Sequence, residues 1–217
     1  MTALKLESCA AGVTTLGPGP AVCIWVQGCD LGCRGCMSKH TWSGGGGVLA
    51  EPDDVAAWAE STRLRHLTIS GGEPFDQAPA LAELLDRLRA SRDWVVTSYS
   101  GYRRPRLERD DPPGSVELLS RLDLLIDGPY VAARHAALRW RGSSNQTIHD
   151  LTGRVEVPSD AHAGLEVAFD EDGGFALVGV PPVRDFVARF EAGLPGRRRE
   201  TAADPTRRFP FPTRKVL

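Results

Sequence analysis

The sequence predicts an α/β protein: a partial, open β/α barrel on a parallel sheet, then a C-terminal β-hairpin and a basic tail. Three observations predict it. Short apolar, β-branched runs alternate with helix-length amphipathic segments between residues 21 and 127. Only four such strands appear, too few for a closed eight-stranded barrel. Beyond them, residues 164–180 hold two apolar runs around Asp172-Gly173-Gly174, a hairpin signal.

Taken in order, AVCIWVQ at residues 21–27 is apolar enough for a buried strand. Residues 52–62 open with Pro52, Asp53 and Asp54, which suit the first turn of a helix. RHLTIS at 65–70 is a second strand, ended by Gly71-Gly72. Residues 76–91 carry Leu81, Leu84, Leu85 and Leu88 on a helical stripe. WVVTSYS at 94–100 is a third strand, 115–121 a helix, and LDLLID at 122–127 a fourth strand. A last helix fits 183–192, so residues 1–195 form one domain. The tail, 196–217, has seven basic residues against Glu200 and Asp204. It reads as a solvated end able to meet an acidic partner.

With 41 % apolar and 25 % charged residues, the chain is of globular composition, and 217 residues suffice for one substantial core. A net charge of −2 gives no basic domain, so no nucleic-acid partner is expected. No apolar run is long enough for a membrane span and no secretory signal is visible, so the expected location is cytoplasmic, off the membrane.

All five cysteines, Cys9, Cys23, Cys29, Cys33 and Cys36, lie in the first 36 residues. A secreted disulfide framework would spread them along the chain; metal ligation in a reducing compartment fits better. Cys29, Cys33 and Cys36 form C-x-x-x-C-x-x-C directly after the first strand. Their spacing admits three readings. With His40 they make a Cys3His zinc set. Cys33 and Cys36 make a redox pair. All three hold an iron–sulfur cluster, and since a cubane takes four protein ligands when it only carries electrons, three leave one iron open for a substrate or cofactor. Cys23 reads as a core hydrophobe and Cys9 as a free thiol. His66, His135, His149 and His162 show no ligand spacing; Trp25 and Trp94 read as core, and Tyr99 and Tyr102 as packing or function.

Several segments together carry a resemblance. GCDLGCRGCMSKHTW, ISGGEPF at 69–75, SYSGY at 98–102, IDGPY at 126–130 and RWRGSSNQTI at 139–148 resemble the radical SAM superfamily. Within it they are similar to the anaerobic ribonucleotide reductase-activating proteins. The resemblance spans roughly residues 15–185. It implies a radical SAM-type barrel and a 4Fe-4S cluster on Cys29, Cys33 and Cys36. S-adenosyl-L-methionine would bind the unique iron and contact Ser70, Gly71, Gly72 and Glu73, Ser98 and Ser100, Asp127 and Asn145. Many superfamily members have an aromatic residue before the third cysteine; Gly35 stands here, which shifts adenine recognition to the backbone of Gly35, Cys36 and Met37. Arg141, Ser144 and Gln146 become candidates for gripping substrate.

The implied reaction is one-electron reduction of the bound sulfonium by a flavodoxin- or ferredoxin-like donor, giving a 5′-deoxyadenosyl radical that abstracts hydrogen. The cofactors supply the reactivity and the protein holds them. The implied substrate is a glycine of a partner glycyl radical enzyme, since a short chain leaves little room for a closed small-molecule pocket. Direct modification of a peptide or metabolite, and a zinc binding module without catalysis, stay open as alternatives.

Overall fold

The computed structural model describes residues 2–157, 164–169, 175–193, 210 and 214–215. Its strands are β1 (Leu4–Val13), β2 (Ala21–Val26), β3 (Val48–Ala50), β4 (His66–Gly71), β5 (Val95–Ser100), β6 (Leu124–Asp127), β7 (His135–Leu138), β8 (Arg141–Ser143), β9 (Thr147–Asp150), β10 (Leu165–Phe169), β11 (Phe175–Gly179) and β12 (Arg214–Lys215). Its helices are α1 (Pro52–Ser61), α2 (Ala78–Ser91), α3 (Arg104–Leu107), α4 (Ser115–Leu119) and α5 (Phe186–Ala192).

An open sheet of eight strands runs in the order β12-β3-β1-β2-β4-β5-β6-β9. Its four middle strands, β2, β4, β5 and β6, are parallel. Antiparallel strands extend both edges. The parallel block and its helices lie where the alternating pattern predicts them. Pro52 and two aspartates open α1, and Leu81, Leu84, Leu85 and Leu88 on α2 are fully buried.

Alternation along β2 separates two faces. Val22, Ile24 and Val26 join Leu67, Ile69, Val96 and the leucines of α2 in the main core, under the helices. Ala21, Cys23 and Trp25 point the other way, with Val13, Leu16, Tyr99 and Val178. On that face β10 and β11 pair antiparallel, Phe169 opposite Phe175. Residues 170–174, the expected turn, lie outside those described. The β10–β11 pair is tied to the β1–β2 loop. Glu166 accepts from the Thr14 N–H at 2.7 Å and from its hydroxyl, and the Thr15 hydroxyl donates to the Val178 carbonyl at 3.2 Å.

Two differences from the sequence reading matter. Residues 4–13 carry no clear strand signal, yet β1 occupies them. Its register with β2 slips between Leu6 and Ser8 and again between Ala11 and Val13. Such bulges break the two-residue alternation by which a strand is recognised. The segment 139–148, to which the sequence assigned no strand, holds a tight β8-turn-β9 unit, and β9 adds to the sheet edge beside β6. In the basic tail, Arg214 and Lys215 pair with Leu49 and Val48 on β3. The expected boundary at residue 195 lies outside the described residues.

Candidate functional site: a cysteine loop on the sheet's C-terminal edge

Four parallel strands end side by side, so the cysteine loop after β2, the Gly-Gly-Glu turn after β4, the Ser-Gly-Tyr turn after β5 and the Asp-Gly-Pro-Tyr turn after β6 share one edge. Register makes this explicit: Val26 pairs with Gly71, and Ser100 with Asp127. In open α/β sheets this is the edge where ligands bind.

The cysteine loop is pinned at both ends. Gly28 N–H donates to the Thr41 carbonyl at 2.7 Å and Cys29 N–H to the Trp42 carbonyl at 3.2 Å. Buried Gln27 donates to the carbonyls of His40 and Ser43, and Gln77 to those of Lys5 and Gln27. These two glutamines are positioning residues that sequence reasoning passed over; Gln27 follows β2 and Gln77 directly precedes α2, and their only signal is polarity.

The Gly-Gly-Glu turn is bonded to the same loop. Gly72 N–H donates to Val26 O and Glu73 N–H to Gly28 O, each at 2.8 Å. A Cβ on Gly71 would sit 2.5 Å from the Val26 nitrogen, and one on Gly72 would collide with the Gly28 carbonyl. The sequence reading had these glycines admit a ligand to the backbone. The close approach seen is to the protein's own β2 end.

Glu73, expected to contact S-adenosylmethionine, is fully buried. Its Oε1 accepts from the Phe75 N–H at 3.0 Å and the Ser100 hydroxyl at 2.9 Å; its Oε2 accepts from the Gly101 N–H at 2.7 Å. Burial pushes its carboxyl up to about 7, against those three donors. Glu73 and Ser100 thus strap the β4 and β5 turns together. Ser98 is buried within β5. Asp127 accepts from the Arg104 N–H at 2.6 Å, capping α3, and His149 Nε2 stands 3.2 Å from its other oxygen.

The candidate substrate residues are spent mostly on their own loop. Gln146 Oε1 accepts from the N–H groups of Gly142 and Ser143, and its amide donates to Gly128 O. Arg141 donates to the Gln146 carbonyl at 3.2 Å and Asn145 to the Pro129 carbonyl at 2.8 Å. Ser144 is exposed.

The three loop cysteines are free and half-buried. Burial pushes the Cys29 thiol up to about 11 and raises Cys33 as well, so a metal there must displace protons. Among the described residues no three Cys, His, Asp or Glu side chains converge at metal-ligand spacing. His40 Nε2 faces Glu7 at 3.8 Å. As a donor set, three thiols within eight residues suit an iron–sulfur cluster with one open iron. Gly28, Gly32 and Gly35 hold positive φ along the loop, which lets it turn tightly.

Gly35 leaves a gap beside which the turn after β6 places a ring. A side chain there would begin 3.4 Å from the Tyr130 ring, and the Tyr130 N–H bonds the Cys33 sulfur. Tyr130 is a candidate site residue that the sequence reading missed; the IDGPY segment was its one signal.

A cavity of about 470 Å³ opens beside the third cysteine. Cys36, Met37, Ser70 and Gln146 line it among the expected site residues; Glu7, Trp25, Tyr99, Tyr130, Trp140 and β11 are among its other walls. A short chain was expected to have little room for such a pocket. The β10–β11 pair creates it by roofing the sheet face.

The parallel α/β sheet carries a three-cysteine loop locked to a Gly-Gly-Glu turn on the next strand, the arrangement expected from the resemblance to radical SAM proteins. Comparison with known proteins agrees. The family described as "4Fe-4S single cluster domain" matches residues 15–149, and the chain belongs to it. The anaerobic ribonucleoside-triphosphate reductase-activating protein of Vibrio cholerae is 34 % identical over 148 residues, 63 % of this chain and 91 % of that protein. Its counterpart in Escherichia coli K12 is 33 % identical over 147 residues, 62 % and 91 % of the two chains. Among solved structures, QueE from Escherichia coli aligns over 46 % of this chain and 53 % of its own, at 23 % identity and a TM-score of 0.39. By the family match and the reductase-activating relatives, the protein is an iron–sulfur enzyme of the radical SAM class, related to the reductase-activating proteins. None of its described helices is long and apolar enough to cross a membrane.

Proposed function

We propose that this protein is an activase of partial-barrel radical SAM type that installs a radical on a glycine of a partner reductase. The observation that carries this is the bonding of the Gly-Gly-Glu turn to the cysteine loop through Gly72 and Glu73. It fixes the distance between the elements that would hold cluster and cofactor.

In this reading Cys29, Cys33 and Cys36 ligate a 4Fe-4S cluster. Cys36, Met37 and Ser70, which line the cavity beside the strand ends, would hold S-adenosylmethionine. When bound and reduced by a cytoplasmic one-electron donor, the cluster and S-adenosylmethionine supply hydrogen-atom abstraction. The chain's own part is to hold, orient and shield. Glu73 fixes the β4 and β5 turns, Tyr130 flanks the loop at Gly35, and the cavity walls exclude water from the reacting atoms. The relatives' name supplies the partner class, a ribonucleotide reductase.

The test is anaerobic incubation of the cluster-loaded protein with reductant, S-adenosylmethionine and the anaerobic reductase of the same organism, followed by electron paramagnetic resonance. A glycyl doublet on the reductase is expected. Turnover of S-adenosylmethionine with no protein radical, and a modified peptide or metabolite instead, would transfer the protein to the second reading. The 470 Å³ cavity favours that second reading, being of small-molecule size.

A further inference from the structure

A second groove runs beside the cavity. It lies between the turn after β6, at Ala132, Ala133 and His135, and residues 182–185 ahead of α5. His135 lines both, so the groove adjoins the cavity that Cys36 also lines.

Three arginines gather around Ala132. Arg184 lines the groove and donates to the Ala132 carbonyl at 3.2 Å. Arg134 stands two residues further on, its N–H held by the Val131 carbonyl at 2.8 Å. Arg34 precedes Gly35, where a Cβ would lie 3.3 Å from the Ala132 Cβ. All three are exposed, and among the described residues no carboxylate pairs with any of them. By contrast Arg87, Arg106, Arg121 and Arg154 each meet an aspartate at 2.5–2.9 Å. The acidic groups closest in the chain are engaged elsewhere. Asp185, on the groove, is held by Arg189 at 2.7 Å, and Asp30, on the cysteine loop, acts on Asp76.

Between these cations the groove is apolar. Pro182 and Val183 are exposed, Val183 by 46 %. An apolar strip rimmed by unpaired guanidinium groups fits a stretch of polypeptide with carboxylate side chains. Each guanidinium fork matches a carboxylate, and the strip takes the aliphatic neighbours. A small anion would leave the strip bare.

We infer that this groove is the docking surface for an acidic stretch of the protein substrate, which lies along Ala132 while the reacting residue enters the cavity past His135. An electron donor need only approach the cluster. A groove that adjoins the cavity serves the chain that must enter it. This rests on the reading of the substrate as a protein segment.

The test is a binding measurement on the full-length, cluster-loaded protein without reductant, so that no turnover is required. The probes are the N-acetylated amide of Asp-Ala-Asp-Ala-Gly-Ala and its counterpart with asparagine for aspartate, titrated by calorimetry. At low ionic strength the aspartate probe is expected to bind about fivefold or more tighter, since exposed charge pairs add little singly and several act together. The gap should close at about 0.5 M salt, where exposed charges are screened. Arg134→Glu should abolish the preference; the side chain makes no bond within the protein, so the fold is not at stake. Arg65→Glu, the same charge change at an exposed site at the opposite end of β4, should keep it. Equal affinity of the unsubstituted protein for the two probes, or no detectable binding of either, overturns the inference. So does an equal loss in Arg134→Glu and Arg65→Glu, which would report net charge alone. Slower cluster reduction by a flavodoxin in Arg134→Glu, with the peptide preference intact, would assign the patch to the donor and overturn it as well. The preference needs no reductase, so its presence in a protein that makes no glycyl radical would sink the activase reading alone.

Discussion

The backbone N–H of Glu73 donates to the carbonyl of Gly28 at 2.8 Å, so the turn that ends β4 hangs on the residue before the first loop cysteine. One hydrogen bond away, Gly72 N–H holds the Val26 carbonyl. The cysteine loop and the Gly-Gly-Glu turn are therefore bonded to each other, and damage to either is expected to reach the other.

Gly72→Ala tests that link. The added methyl would collide with the Gly28 carbonyl, a backbone atom that cannot swing aside. Displacing it costs about 1–3 kcal/mol, as overpacking does in well-packed interiors. The expected result is a lowered denaturation midpoint in the apoprotein and less than half the iron of the unsubstituted protein after anaerobic reconstitution. Full iron loading at unchanged stability would show that the loop moves independently of the turn.

Glu73 predicts a pH dependence. Its folded-state carboxyl is raised by burial from 4.5 to about 7. The folded protein therefore binds a proton that the unfolded chain gives up between those values. Stability from this group is fully present below about 4.5 and is lost as pH rises through about 7, an effect of at most roughly 3 kcal/mol. Urea denaturation of the apoprotein between pH 5 and 8 should show the midpoint falling more steeply than in Glu73→Gln. The variant loses one acceptor toward Gly101 and starts weaker, so the slope is the quantity compared. Parallel slopes would mean that Glu73 titrates in its ordinary range.

The loop cysteines separate from the other two. Cys29→Ala, Cys33→Ala and Cys36→Ala should each remove the brown visible absorbance of the reconstituted protein and all cleavage of S-adenosylmethionine. Cys9→Ala should keep both. Cys23→Ala, at a fully buried position, should keep them too and lose about 1 kcal/mol of stability. One zinc and no iron on metal analysis, with retention dependent on His40, would establish the zinc set instead.

The parts of this site that were legible in the sequence are those where spacing alone constrains chemistry. Three cysteines within eight residues and a Gly-Gly-Glu turn at a strand end could be read without coordinates, as could the four parallel strands and α2. What was not legible depended on partners distant in the chain. A glycine admits a close approach, but Gly71 and Gly72 do not reveal that the approaching group is the β2 backbone. Arg141 and Gln146 have donors and acceptors fit for a ligand, and only folding shows them used within their own loop. Strand β1 hid behind its two bulges. The cavity was invisible because its walls bring together residues 7–10 and 176–180, far apart in the chain.

Tyr130 stands where the cysteine loop itself has no side chain. Gly35 occupies the position before the third cysteine, with φ of +82°, where a side chain would strain the backbone and begin 3.3 Å from the Ala132 Cβ. The ring missing there is present in space, brought by the turn after β6 to 3.4 Å from that position. Tyr130 also lines the cavity beside Cys36, and its hydroxyl meets His135 Nδ1 at 3.1 Å. The ring face, more than the hydroxyl, is what a flat adenine would stack on. Tyr130→Phe is therefore expected to bind S-adenosylmethionine as the unsubstituted protein does. Tyr130→Ala should bind it about tenfold more weakly, near the 1.4 kcal/mol that such a stacking contact represents. Calorimetric titration of the cluster-loaded protein without reductant reads this directly. Iron content, measured in the same samples, checks that the cluster survives the loss of the ring. Unchanged affinity in Tyr130→Ala at full iron loading would remove Tyr130 from the cofactor site and leave adenine to the backbone of Gly35, Cys36 and Met37.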